Sequence, residues 1–140
     1  MSSDSKVDLL RSIPLFAKLG RSELEQVARL ADEVDVPAGH VLMRQGSTGS
    51  EAFVLASGAA RADRDGDILA SFEPGSMIGE IALISEGPRT ATVTTTEPSR
   101  FFVLAHREFH SLMQAVPAVQ QCVLDEMARR LRDLEPDNAH

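Results

Sequence analysis

Hydrophobic and polar positions change rhythm twice along the chain. Over residues 1–32 the apolar positions recur at helical spacing, with Val7, Leu9, Leu10 and Ile13 ahead of Pro14, and Leu24, Val27, Ala28, Leu30 and Ala31 forming a second stripe. Ser22 and Glu25 have the spacing of a capping box, which predicts the start of that second helix. From Glu33 to about Ala105 short β-branched and apolar runs alternate with Gly, Pro, Asp and Ser. The runs predict strands at Val34–Val36, His40–Arg44, Ala52–Ala56, Ala59–Ala62, Asp67–Phe72, Ala91–Thr95 and Arg100–Ala105. Turns are predicted at Pro37–Gly39, Gly46–Ser50, Ser57–Gly58, Asp63–Gly66 and Pro74–Gly75. Strands this short and numerous favour a roll that folds over itself and removes exposed sheet edges. Helical spacing returns in His106–Ala115 and, past Pro117, in a run to about Leu134 striped by Val119, Val123, Met127, Leu131 and Leu134. Arg129, Arg130 and Arg132 sit where positive charge complements the end of that last helix.

Composition narrows the function classes. With 140 residues, 43% hydrophobic and 25% charged, the chain suits one globular core and leaves no room for two independent domains. Fourteen basic residues against 21 acidic ones give a net charge of −7, which opposes coating a DNA duplex or an anionic membrane. A single small anion in a local site remains compatible with that charge. Cys122 is the only cysteine, so no internal disulfide can form. No apolar run reaches signal-peptide or membrane-span length, and a cytoplasmic location is expected. Trp and Tyr are absent, which removes the usual platform for stacking single-stranded bases.

The segment from Ser76 to Thr95 does not read as another hairpin. Gly79-Glu80-Ile81-Ala82-Leu83 reads as one helical turn set in β-rich surroundings, and the start of such a turn presents N–H groups and partial positive charge to a phosphate. Gly79 allows close approach to the backbone. Arg89, behind Pro88, can grip two phosphate oxygens through paired donors. An ionised Glu80 only accepts hydrogen bonds, so its use in an anion site is to take them from sugar hydroxyls beside the phosphate. Thr90 can donate to the phosphate or to a base.

These residues resemble the phosphate-binding cassette of the cyclic nucleotide-binding domains found in bacterial catabolite activators, cyclic-nucleotide-dependent kinases and gated channels. The family pattern, Phe-Gly-Glu-Leu-Ala-Leu and then Pro-Arg-Ala/Thr/Ser-Ala, stands here as Ile78-Gly79-Glu80-Ile81-Ala82-Leu83 and Pro88-Arg89-Thr90-Ala91. Ile13-Pro14-Leu15-Phe16, Pro37-Ala38-Gly39 to Gln45-Gly46, Phe53 to Gly58 and Phe109 extend the likeness over nearly the whole chain. Ile78 replaces the usual phenylalanine. The resemblance implies a mainly β, α+β fold: an eight-stranded antiparallel, jelly-roll-like β-roll with N-terminal helices, a short cassette helix and two C-terminal helices. It implies a single domain over 1–140, with N-terminal helices in 1–32, a roll in 33–105 carrying the cassette 76–91, hinge and lid helices in 106–135 and a tail in 136–140. Glu80 would bind the ribose 2′-hydroxyl, Arg89 the cyclic phosphate, and backbone amides near Ala82 would assist. Gly79, Ile81, Thr90 and Ala91 complete the expected ligand shell, and Arg130 on the last helix is expected to cap the base. The ligand expected by analogy is cAMP in preference to cGMP, with no other cofactor, no metal and no catalysis.

Other patterns are weaker. His106-Arg-Glu-Phe-His110 has the wrong order for a zinc-protease helix, and Asp63-Arg-Asp-Gly-Asp67 lacks the distal glutamate of a calcium loop and reads as a hairpin turn. Gly46 and Gly58 read as turn glycines, Cys122 as a small buried hydrophobe, and Ile68, Leu69 and Phe72 as core rather than base pocket. Only Glu135–His140 follow the last helix, too few residues for a helix-turn-helix, so no DNA contact is expected. The expectation is a stand-alone sensor that moves its last helix and signals to a separate effector protein or as a homodimer. The alternatives are an interaction domain that has lost the ligand and a nucleotide buffer without a switch. A metal-dependent enzyme on a similar roll would need a histidine cluster on the strands, where only His40 is found.

Overall fold

Two-residue periodicity and Gly-rich turns in the middle of the chain build two four-stranded antiparallel sheets. The structure, a computed structural model, describes residues 3–83 and 87–133. One unit spans residues 29–110 and holds the strands; the other comprises 1–28 and 111–140. The strands are β1 (Asp32–Val36), β2 (Val41–Met43), β3 (Thr48–Gly49), β4 (Glu51–Ser57), β5 (Ala60–Arg64), β6 (Asp67–Phe72), β7 (Met77–Ile78), β8 (Gly87–Pro88), β9 (Thr92–Thr95) and β10 (Ser99–Ala105). One sheet has the order β1-β10-β4-β7 and the other β2-β9-β5-β6. These eight strands are the β-roll that the resemblance implied. A third, two-residue ladder pairs β3 with β8, inside a segment expected to be only a turn. Its pairing of Thr48 with Pro88 and Gly49 with Gly87 delivers Arg89 to its seat.

The core of the roll lies between the two larger sheets. Phe53, Leu55, Ile78, Ala91, Val93 and Phe101 are buried together there, with the Phe53 and Phe101 rings edge to face at 6.2 Å. Asp65 and Gly66 both have positive φ, 53° and 87°, as a two-residue hairpin loop of the primed kind requires, so the acidic run at 63–67 is a hairpin turn. The Pro37–Gly39 turn is tied by Thr95, whose buried hydroxyl donates to the Pro37 carbonyl at 2.7 Å and accepts from the His40 N–H at 2.9 Å.

The assignment of Ile68 and Leu69 to the core is corrected by the register of β6, whereas Phe72 packs against the core as expected. Ala70 pairs with Ala62 but Ile68 pairs with Asp63, so Leu69 is an extra residue in the strand. This bulge breaks the alternation: Ile68 is 64% exposed, Leu69 is 48% exposed, and Phe72 is only partly buried.

In the other unit α1 (Ser3–Arg11) buries Val7 and Leu10, and the 3₁₀ turn Pro14–Phe16 buries Leu15 and Phe16. The helix α2 (Arg21–Leu30) is capped two residues earlier than expected: Gly20 is the N-cap residue, and its N–H donates to the Glu23 carboxylate at 3.2 Å. Then come α3 (His106–Ala115) and α4 (Pro117–Asp133), separated by Val116. Among the described positions of α4, Val119, Cys122, Val123 and Glu126 are buried and Met127 is half-buried. The Cys122 thiol donates to the Leu15 carbonyl at 2.6 Å, and burial pushes its pKa up. Cys122 is therefore the small hydrophobe expected. Leu134, the tail 136–140 and the side chain of Leu131 lie outside the described residues. No helix among the described residues is long and apolar enough to cross a membrane.

Candidate functional site

Within the roll a cavity of about 440 Å³ opens beside the cassette, a size suited to a small organic ligand. Its polar end is made by Arg89, which follows β8 directly. The backbone of Arg89 is held on both sides: its N–H donates to the Ser47 carbonyl at 2.7 Å, and its carbonyl accepts from the Gly46 N–H at 2.8 Å. One guanidinium nitrogen, Nη2, donates to the Glu51 carbonyl at 2.7 Å. The guanidinium then lies across two glycines. A Cβ at Gly49 would overlap it, and one at Gly79 would stand 2.7 Å from its Nη1. Half-buried, Arg89 has its pKa drawn down by desolvation while the Glu51 carboxylate pushes the other way. A guanidinium so placed is charged, partly stripped of water and fixed in direction, which is what recognition of a small oxyanion requires.

The expected helical turn is a 3₁₀ turn, Glu80–Leu83, entered through Gly79 at φ 72°. Only glycine adopts that conformation at low cost, and it brings Gly79, Glu80 and Ala82 to the cavity. The Ala82 N–H donates to the Gly79 carbonyl at 3.0 Å, closing the turn, and the Ala82 carbonyl accepts from His106 Nδ1 at 2.7 Å. Ile81 lies in the same turn, with its side chain outside the description. The ring of His106 also stacks on that of His110, centroids 5.7 Å apart.

The opposite wall comes from β5, β6 and β9. Ala62 and Ala70, a cross-strand pair, floor the cavity beside Leu69 and Phe72. Thr90 is exposed at the rim, and its carbonyl accepts from Arg64 Nε at 2.8 Å. Ala91, expected at the ligand, is a buried part of the core whose surface reaches the cavity. The structure thus gathers Gly79, Glu80, Ala82, Arg89, Thr90 and Ala91 around one space. Arg130 lies on α4 with its side chain outside the described residues.

Sequence reasoning missed Gly49, the Glu51 carbonyl, Arg64 and Leu69. Gly49 carried no pattern that singled it out, and a carbonyl carries none at all. Leu69 was hidden by the bulge. Arg64 was readable in principle, because Ala60, Ala62 and Arg64 share one face of β5 under strict alternation while Arg61 and Asp63 share the other and pair at 3.4 Å.

Comparison with known proteins agrees with this fold. A family profile described as "Cyclic nucleotide-binding domain" matches residues 33–116. The N-terminal domain of a transcriptional regulator from Streptomyces coelicolor A3(2) superposes with a TM-score of 0.83 at 32% identity, covering 90% of this chain and 92% of that one. The regulatory domain of Toxoplasma gondii PKA, crystallised with cAMP, superposes with a TM-score of 0.73 at 27% identity, covering 79% of this chain and 44% of that one. In sequence the chain is 32% identical to a cyclic nucleotide-gated potassium channel of Mesorhizobium japonicum over 81% of its own length, and it spans 31% of the channel.

Proposed function

The chain belongs to the cyclic nucleotide-binding domain family, and from that premise we propose that it is a non-catalytic cytoplasmic sensor of cAMP. In this reading Arg89 holds the cyclic phosphate, and Glu80 accepts from the ribose 2′-hydroxyl. The backbone of Gly79, Ile81 and Ala82 lines the phosphate side. Thr90 and Ala91 stand where phosphate and base meet, and Arg130 caps the base. The observation that carries the reading is the Arg89 guanidinium, seated on Gly49 and Gly79, anchored on the Glu51 carbonyl and exposed to the cavity. The preference for cAMP over cGMP is supported by the kinase regulatory domain crystallised with cAMP. Binding is proposed to move the last helix, α4, and so to pass the signal to a separate effector protein.

Calorimetric titration with cAMP and cGMP in parallel tests the site. The native protein is expected to bind both, cAMP more tightly. Arg89→Ala removes the charged partner of a desolvated phosphate, and the expected loss is about 2–5 kcal/mol. An affinity within a few-fold of the parent would place the phosphate elsewhere.

A further inference from the structure

His106 joins the two stretches of backbone that form the seat of Arg89. The guanidinium lies across Gly49 and Gly79 and donates to the Glu51 carbonyl. Between Gly49 and Glu51, the Ser50 carbonyl accepts from the His106 backbone N–H at 2.7 Å. On the other side the Ala82 N–H closes the 3₁₀ turn on the Gly79 carbonyl, and the Ala82 carbonyl meets His106 Nδ1 at 2.7 Å. One residue at the start of α3 thus bonds to both sides of the seat, while the cavity itself is lined by others.

A carbonyl only accepts, so Nδ1 carries a proton in either charge state of the ring, and a second proton is taken at Nε2. The bond to Ala82 therefore survives in both states, and charging the ring strengthens it. It also brings a positive charge to the turn beside the phosphate seat. A cyclic phosphate keeps its single negative charge across the range in which an imidazole changes charge, about pH 5 to 8. Resting on the functional reading above, we propose that His106 is a positioning residue of the phosphate site and links it to protons: the imidazolium holds the nucleotide more tightly than the neutral ring does. Affinity then rises as pH falls through that range, and binding draws in protons, because the linkage is reciprocal. Among the described residues the other charged or titratable groups on the elements around His106 are Glu80 in the turn, Glu51 at the start of β4, Arg89 itself, and Arg107, Glu108 and His110 on α3. The ring of His110 stacks on that of His106 at 5.7 Å, and two imidazoliums at that separation repel, so His110 competes for the same proton.

The test is calorimetric titration with cAMP at about pH 5.5 and about pH 8, and midway between them in two buffers of different ionisation enthalpy, which counts the protons taken up. The native protein is expected to bind about threefold more tightly at the lower pH and to take up about a quarter of a proton per nucleotide midway. At the higher pH His106→Ala should bind about fivefold more weakly than the native protein, the scale of one lost hydrogen bond. The amide of His106→Asn branches from the same carbon as Nδ1 and can donate to the Ala82 carbonyl. It should restore affinity at the higher pH but neither the pH profile nor the proton uptake, whereas His110→Asn should keep both. Thermal unfolding is the fold control for all three variants. Proton uptake that persists undiminished in His106→Asn, or is lost in His110→Asn, would overturn the proposal. So would native affinity in His106→Ala, or His106→Asn binding no better than His106→Ala. If the native protein binds no nucleotide at either pH, the functional reading itself fails and this inference falls with it; binding without proton uptake removes only the role of His106.

Discussion

Glu80 and Thr95 show how much depends on which hydrogen bonds a single side chain can make. If Glu80 accepts from the ribose 2′-hydroxyl, Glu80→Gln keeps an acceptor but loses the charge assistance, and cAMP affinity should fall by about 1 kcal/mol. A 2′-deoxy cyclic nucleotide removes the same contact from the other side, so mutation and ligand change should be non-additive in a titration cycle; full additivity would move Glu80 away from the sugar. Thr95 belongs to the scaffold instead. Thr95→Val keeps the shape but removes the acceptor of the His40 N–H and the donor to the Pro37 carbonyl at a partly buried site, and denaturant unfolding should record a loss of about 1 kcal/mol. The cassette residues were legible in the sequence because their identities and spacing resemble the cassette pattern of the family. Gly49 was not: its role is to be absent where the Arg89 guanidinium lies, and a missing Cβ leaves no signature until the third ladder is known.

At the level of elements, the β3–β8 ladder and the 3₁₀ turn together aim Arg89. Gly49→Ala should separate aiming from folding. The clash it creates is with the far end of a long side chain, so thermal stability should change by less than about 1 kcal/mol while cAMP affinity falls by about 1–3 kcal/mol. Gly79→Ala adds backbone strain at φ 72° and should cost stability as well. In the proposed function the last helix is the element on which signalling turns. Amide exchange over residues 123–133 should slow when cAMP is added; unchanged exchange with nucleotide bound would make the protein a nucleotide buffer. Cutting the chain after Gln121 would not be a clean test, because Cys122 and Val123 are buried in their own unit. Helices and long strands were readable from periodicity, but two-residue strands have no period to read. The β6 bulge likewise defeats a strict alternation rule, and the α2 cap was misplaced because Gly20 contributes only backbone groups.

For the whole molecule the questions are stability and its dependence on conditions. Nucleotide that binds only the folded chain should raise the unfolding temperature, by about 2.7 kcal/mol of added stability at a hundred times Kd. Across β1 and β10, Arg100 donates to both carboxylate oxygens of Asp35, at 2.7 and 3.2 Å, and lies 3.1 Å from Glu33. The bond from Arg100 holds the Asp35 pKa below its ordinary value. A depressed carboxylate contributes stability above its unfolded pKa and loses it as pH falls through the folded one. The unfolding difference between the native protein and Asp35→Asn should therefore be present at pH 7, begin to shrink as pH falls below about 4, where an ordinary Asp titrates, and vanish only below the depressed folded value; a difference that stays constant as pH falls through that window would remove the pairing from the account. Overall charge could not disclose a local site, because one guanidinium is invisible in a net charge of −7.

His106 gives the cassette mechanical leverage. Its ring is bonded to the Ala82 carbonyl and its backbone N–H to the Ser50 carbonyl at 2.7 Å, so the first residue of α3 is clamped to the 3₁₀ turn and to the start of β4. The helix α3 continues from that clamp to Ala115. Ten residues of α-helix make a stiff rod about 15 Å long, and a tilt of about 10° at its clamped end would displace the far end by about 2.6 Å. A small shift of the 3₁₀ turn is thus magnified along α3 and is largest at its Ala115 end.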